Sequence, residues 1–192
     1  MILILQGIIK YDKITIKGVI TLRIFGIDPG IATIGFAVLD AEVNQLKLQT
    51  CGVITTPAHT SLSSRLSRIY SDMEELLIQF KPDAVSIEEL FFNTNITTGI
   101  SVAHGRGVIL LACERNGIPV TEYTPLQVKQ AVTGYGRADK KQVMEMVRRL
   151  CSLNDIPKPD DAADAVALAI CHARSTTSLL SPKGVQEPCS TV

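Results

Sequence analysis

The stretch "RIFGIDPGIATIGFAVLD", residues 23–40, carries an apolar run that ends in a carboxylate, Asp28, followed at once by Pro29 and Gly30. Proline removes a backbone donor and glycine tolerates unusual dihedrals, so the pair stops a strand abruptly. Residues 23–28 therefore read as a buried strand whose last side chain is an acid, and "TIGFAVLD" (33–40) as the strand that returns beside it. Asp28 is then either a turn residue or a carboxylate held at a sheet edge for chemistry.

Working outward, "LKLQTCGVITT" (46–56) predicts a third strand in the same meander. "SLSSRLSRIYSDMEELLIQF" (61–80) places Leu62, Leu66, Ile69, Met73, Leu76, Leu77 and Phe80 at helical spacing, behind a serine-rich start suited to capping. "DAVSIEEL" (83–90) is a fourth strand ending in acid, and "FFNTNITTG" (91–99) a loop, or a loop leading into a helix at 100–117. "IPVTEYT" (118–124) is a fifth strand; helices are expected at 125–134, 138–151 and 161–174. Hairpins early and crossovers later predict an α/β domain with a mixed central five-stranded sheet flanked by helices. The Ser/Thr/Pro-rich residues 175–192 are expected to form a disordered tail.

Four acids occupy telling places. Asp28 ends the first strand, Glu88 ends the fourth, and Asp161 and Asp164 lie three apart at the start of the last helix, on one side of it. Asp28 and Glu88 meet if the first and fourth strands are neighbours. "DAADAVALAI" is otherwise small and apolar, so its two acids sit on a segment built to pack. Two like charges about 4 Å apart repel by roughly 4 kcal/mol at an effective dielectric near 20. A divalent cation relieves this, and oxygen-only ligands select Mg²⁺ or Mn²⁺. Two ions about 4 Å apart would suit in-line displacement at a phosphodiester, which points to a nuclease.

Bulk properties are compatible with this. The chain has 192 residues, 46% hydrophobic and 20% charged, with zero formal net charge, so any basic face must be local. Five scattered cysteines without a CxxC pair suit reduced thiols in a cytoplasmic protein. The apolar start is interrupted by Lys10, Asp12, Lys13 and Lys17, which argues against a membrane span.

"GIDPG" (26–30), "SIEELFF" (86–92), "QVKQAVTGYGRADKKQV" (127–143) and "PDDAADAVALAI" (159–170) together resemble the RuvC family of crossover (Holliday) junction endodeoxyribonucleases, in order from Arg23 to about Ala173. The resemblance implies a ribonuclease H-like fold and a homodimer that binds four-way junction DNA. It also implies Mg²⁺-dependent paired nicks in two strands of like polarity, in recombination and repair, alongside the RuvA–RuvB branch-migration complex. By this resemblance Asp28, Glu88, Asp161 and Asp164 are the catalytic and metal-binding acids, and Asp160 a helix cap. Lys129 and Lys140 match basic residues near the cleaved strand. With Arg137, Lys141, Arg148 and Arg149 they make a local basic surplus fit for phosphates. Phe91 matches an aromatic placed at the junction, where it could stack on a base, although one of Phe91 and Phe92 must be core. His104, Gly105 and Gly107 lie in a helix that resembles the family's dimer-forming one. His59 and His172 receive no role. Residues 1–22 have no counterpart, and a true start near Leu22 is expected; if translated, their apolar alternation would add an edge strand.

Two rivals remain. Actin-like sugar kinases and chaperone ATPases share the Gly-Ile-Asp-x-Gly turn but need a second phosphate loop in a longer chain. A non-catalytic junction-binding protein would not require all four acids.

Overall fold

The structure is a computed structural model that describes residues 2–4, 21–90 and 96–180. The strands are β1 (Ile2–Ile4), β2 (Leu22–Asp28), β3 (Thr33–Glu42), β4 (Gln45–Thr55), β5 (Ala84–Glu88) and β6 (Val120–Tyr123). The helices are α1 (Leu62–Phe80), α2 (Ile96–Arg115), α3 (Pro125–Thr133), α4 (Lys140–Leu150) and α5 (Asp160–Leu180). They form one sheet in the order β1-β4-β3-β2-β5-β6. β1 to β4, β4 to β3 and β3 to β2 pair antiparallel; β2 to β5 and β5 to β6 pair parallel. The five expected strands are present in a mixed sheet, and the N-terminal segment adds the short sixth one at the edge.

Side-chain alternation sends the residues of β2, β3 and β5 to the two faces of the sheet. Phe25, Ile27, Phe36, Val38, Val85 and Ile87 pack under α1 and α2, against Ile69, Met73, Leu76, Leu77 and Ile109. Ile24, Ala37 and Leu39 face the opposite way, toward α5 and α4. Burying each large aliphatic side chain contributes about 1.5–3 kcal/mol, so both faces of the sheet are committed. By the same parity Gly26 and Asp28 on β2, Gly35 on β3 and Glu88 on β5 belong to the α5 face.

Local signals set the helix starts. Ser61 caps α1, its Oγ accepting from the Ser64 N–H at 3.2 Å. Thr124 with Gln127 and Asp139 with Gln142 form capping boxes at α3 and α4. α2 begins four residues earlier than the periodicity suggested, at Ile96, and α5 runs on to Leu180, past the expected end at Arg174. Among the described residues no helix is long and apolar enough to cross a membrane.

Candidate active site

β2 and β5 are parallel neighbours whose last register pair is Ile27 with Ile87. One residue further, at the carboxyl ends of both strands, stand Asp28 and Glu88. The sheet therefore brings together two acids that are 60 residues apart in the chain, on strands spaced about 4.8 Å.

α5 completes the group through two glycines. Gly35 is the register partner of Asp28 across β2 and β3. A Cβ built on Gly35 would lie 1.9 Å from the Asp161 carbonyl oxygen, and one on Gly26 would lie 2.1 Å from that of Ala165. The α5 backbone thus rests directly on the sheet at positions where no side chain fits. Buried Ala162, Ala163, Ala165 and Ala169 keep that approach close. Asp161 and Asp164 ride at the end of this seat, next to Asp28.

The electrostatics show how tightly the acids are gathered. Burial, followed by repulsion from Asp164, Glu88 and Asp161, pushes the Asp28 carboxyl up to about 7, with Lys140 opposing. Glu88 is raised by burial and by Asp164. Asp164 is raised by burial, against the pull of a hydrogen bond from Lys140. Lys140 Nζ lies 3.1 Å from Asp164 and 3.2 Å from Asp160. Burial works to lower the Lys140 ammonium, but the bonds to these two carboxylates leave it raised.

A cleft of about 300 Å³ opens over the acids, lined by Asp28, Glu88, Asp164, Lys129 and Lys140, with an apolar wall that includes Val128, Met144 and Leu168. Asp161 stands outside its lining and acts on the cluster through its charge. Arg137 and Lys141 are exposed, in the loop before α4 and in its first turn. Asp160, expected as a cap, is instead the first residue of α5 and pairs with Lys140. Phe91 and Phe92 lie outside the described residues.

In the helix expected to form a dimer, His104 and Gly107 are exposed, and a Cβ on Gly107 would meet nothing within 4 Å. Gly105 is buried instead: a Cβ there would stand 2.7 Å from the Gly30 carbonyl oxygen. Its small size serves the approach of α2 to the turn after Asp28, within one chain.

His172, left without a role by the sequence, has a buried partner. The Tyr123 hydroxyl lies 2.9 Å from its Nδ1, and the rings meet edge to face at 5.9 Å. Tyr123 is the register partner of Glu88, and His172 lies eight residues beyond Asp164 on α5. The pair thus ties α5 to the strand beside Glu88. No local signal in the sequence points to His172, because its partner Tyr123 is 49 residues away in the chain.

Among the described residues, no three His, Cys, Asp or Glu side chains already converge as a closed cation cage. The donor chemistry nevertheless fits a hard divalent ion: the candidate ligands are all carboxylate oxygens, partly buried and mutually repelling, so a cation would replace a proton and cancel the repulsion.

A mixed sheet covered on both faces, with acids at the carboxyl ends of adjacent parallel strands and on the helix laid across them, defines a ribonuclease H-like protein of the nuclease type. Comparison with known proteins carries this to a family. Residues 24–172 match the family model for "Crossover junction endodeoxyribonuclease RuvC". The chain is 53% identical over 169 residues to the protein of that name from Rubrobacter xylanophilus, covering 85% of this chain and 94% of the relative. The Thermus thermophilus RuvC structure superposes with a TM-score of 0.77 at 34% identity, covering 83% of this chain and 98% of that one. The structure described as T. thermophilus RuvC in complex with Holliday junction substrate gives a TM-score of 0.75, also at 34% identity, over 83% and 97% of the two chains. The chain belongs to the RuvC family of crossover junction endodeoxyribonucleases.

Proposed function

We propose that this protein resolves four-way DNA junctions by metal-dependent phosphodiester hydrolysis, as a homodimer that places paired nicks in two strands of like polarity. The observation that carries the reading is the single cleft onto which Asp28, Glu88, Asp164, Lys129 and Lys140 all open. Asp28, Glu88, Asp161 and Asp164 would hold two divalent ions, Mg²⁺ or in its place Mn²⁺, which when bound activate water and stabilise the leaving oxygen.

The chain's own residues do the rest. Lys129 and Lys140 hold and orient the phosphate oxygens of the strand to be cut. Lys140, shared between Asp160 and Asp164 at 3.2 and 3.1 Å, keeps the acid cluster partly neutralised. The wall of Val128, Met144 and Leu168 excludes water and lowers the local dielectric, which strengthens every charge interaction in the cleft. Glu88 and Asp28 are fixed by strands, and Asp161 and Asp164 by the helix seat, so the ligand set is rigid.

Dimerisation would use the outer face of α2. Ile100 and Leu111 are 49% and 52% exposed there, in line with exposed His104 and Gly107 at helical spacing. A two-fold assembly gives two active sites, which paired nicking requires. Action alongside the RuvA–RuvB branch-migration complex belongs to the same reading.

The test is nicking of a synthetic four-way junction with Mg²⁺, against linear duplex of the same sequence. The junction should be cut and the duplex spared. Asp28→Asn should reduce the rate by more than about a hundredfold, the upper cost of losing a partner one shell outside a metal site. Binding without cutting by the parent protein would leave only a scaffold.

A further inference from the structure

The corner between α3 and α4, residues 134–139, joins the helix that carries Lys129 to the helix that carries Lys140. Both lysines line the acid cleft, so this corner links two of its walls. At its tip stands Tyr135, with 57% of its surface exposed. Exposure alone says little about a tyrosine. The way the backbone beneath it is held says more.

Every polar backbone group of Tyr135 is bonded. Its N–H donates to Thr133 Oγ1 at 3.1 Å, and its carbonyl accepts from the same hydroxyl at 3.0 Å and from the Ala138 N–H at 3.1 Å. Gly134 takes the left-handed conformation that closes α3 (φ 78°), and its carbonyl accepts from Gln130 Nε2 at 2.8 Å. Ala138 is buried, pinning the far side of the corner to the core. The loop is thus ordered by its own bonds, while the ring it carries is left out in solvent. Ordering a segment costs about 1–2 kcal/mol per residue, and a free tip would not need it.

The surroundings select the partner. Leu126, 63% exposed, lies along the same corner: a Cβ on Gly136 would stand 2.6 Å from its Cδ1. Lys129 precedes this apolar knuckle on α3 and Arg137, Lys140 and Lys141 follow it in the chain, while the acid of the loop, Asp139, is engaged as the cap of α4. An aromatic ring among ammonium and guanidinium groups is complementary to a nucleic-acid strand, offering its face to a base and the cations to phosphates. Four residues of α3, about 6 Å of rise, separate Lys129 from Thr133. That rise matches about two nucleotides at roughly 3.4 Å each, so a strand leaving the cleft along α3 would meet the ring two or three nucleotides on.

We propose that Tyr135 stacks on a nucleobase of the strand entering the cleft, two or three nucleotides from the cleaved phosphate, and so fixes the register at which the junction is cut. This rests on the junction-nuclease reading above. The stacking face is the ring, so the hydroxyl is dispensable.

The experiment uses the full chain and four-way junctions carrying 2-aminopurine at each of the three positions on either side of the cut in turn. With chelator present, the parent and Tyr135→Phe should quench the probe at one position, and Tyr135→Ala should not. With Mg²⁺, Tyr135→Ala should lower kcat/KM for nicking by about 5- to 100-fold, the range expected for losing one base stack. Tyr135→Phe should stay within about twofold, and the melting temperature of both variants should match the parent, as expected for an exposed substitution. Tyr135→Ala nicking within about twofold of the parent, or Tyr135→Phe falling with it, overturns the stacking role alone. A parent protein that fails to nick any junction removes the nuclease reading first, and the stacking role with it.

Discussion

At the scale of single residues, the decisive property is the proton on Asp28. Burial and three acid neighbours push its carboxyl from 3.8 up to about 7. The unfolded chain releases that proton near 3.8 and the folded chain only near 7, so between these values the native state holds the extra proton. Its stability then falls as pH rises through the window, by at most about 4 kcal/mol at 1.36 kcal/mol per unit. Melting followed from pH 4.5 to 8 in chelator should show this decline. Asp28→Asn should reduce it, leaving the part that Glu88 and Asp164, also raised by burial, contribute, and Mg²⁺ should restore the stability lost at pH 8. A pH profile identical in parent and Asp28→Asn would mean that the proton sits elsewhere. The four acids were legible in the sequence because a carboxylate at the end of an apolar run, or on an alanine-rich helix, breaks a local pattern. His172 was not: one histidine in an apolar helix shows nothing until Tyr123 is placed opposite it.

At the scale of elements, the site is made by how α5 lies on the sheet. Gly26 and Gly35 leave room for the helix backbone itself, not for its side chains. Gly35→Ala would drive a methyl into the Asp161 carbonyl, a backbone atom that cannot rotate away. We expect a loss of about 1–3 kcal/mol in urea unfolding, typical of overpacking. Nicking should fall further than that loss explains, because the end of α5 that carries Asp161 and Asp164 is lifted from Asp28. An Ala variant with parental nicking would show that α5 tolerates displacement. The capping boxes at Thr124 and Asp139 and the stop at Pro29–Gly30 were readable beforehand, being local rules between residues a few positions apart. The fit of Gly35 under Asp161 spans 126 residues and follows no local rule.

At the scale of the whole molecule, one exposed face lacks an explanation within the chain. Ile100, His104, Gly107 and Leu111 form a stripe on α2, away from the cleft. Charging it with Ile100→Glu and Leu111→Glu should halve the mass seen in sedimentation equilibrium without lowering the melting temperature, since both side chains are exposed. A junction should then receive single nicks in place of paired ones. An unchanged mass would move the interface elsewhere. The amino-acid sequence by itself determined the mixed sheet, the order of its elements and the positions of the candidate acids, because strand alternation, helix periodicity and chain-breaking residues act over short distances. Only the tertiary structure decided that β5 lies parallel beside β2, that Gly26 and Gly35 seat α5, that Gly105 packs on Gly30 and that Lys140 is shared by Asp160 and Asp164. Those contacts join residues far apart in the chain, and their energies exist only once two faces are pressed together.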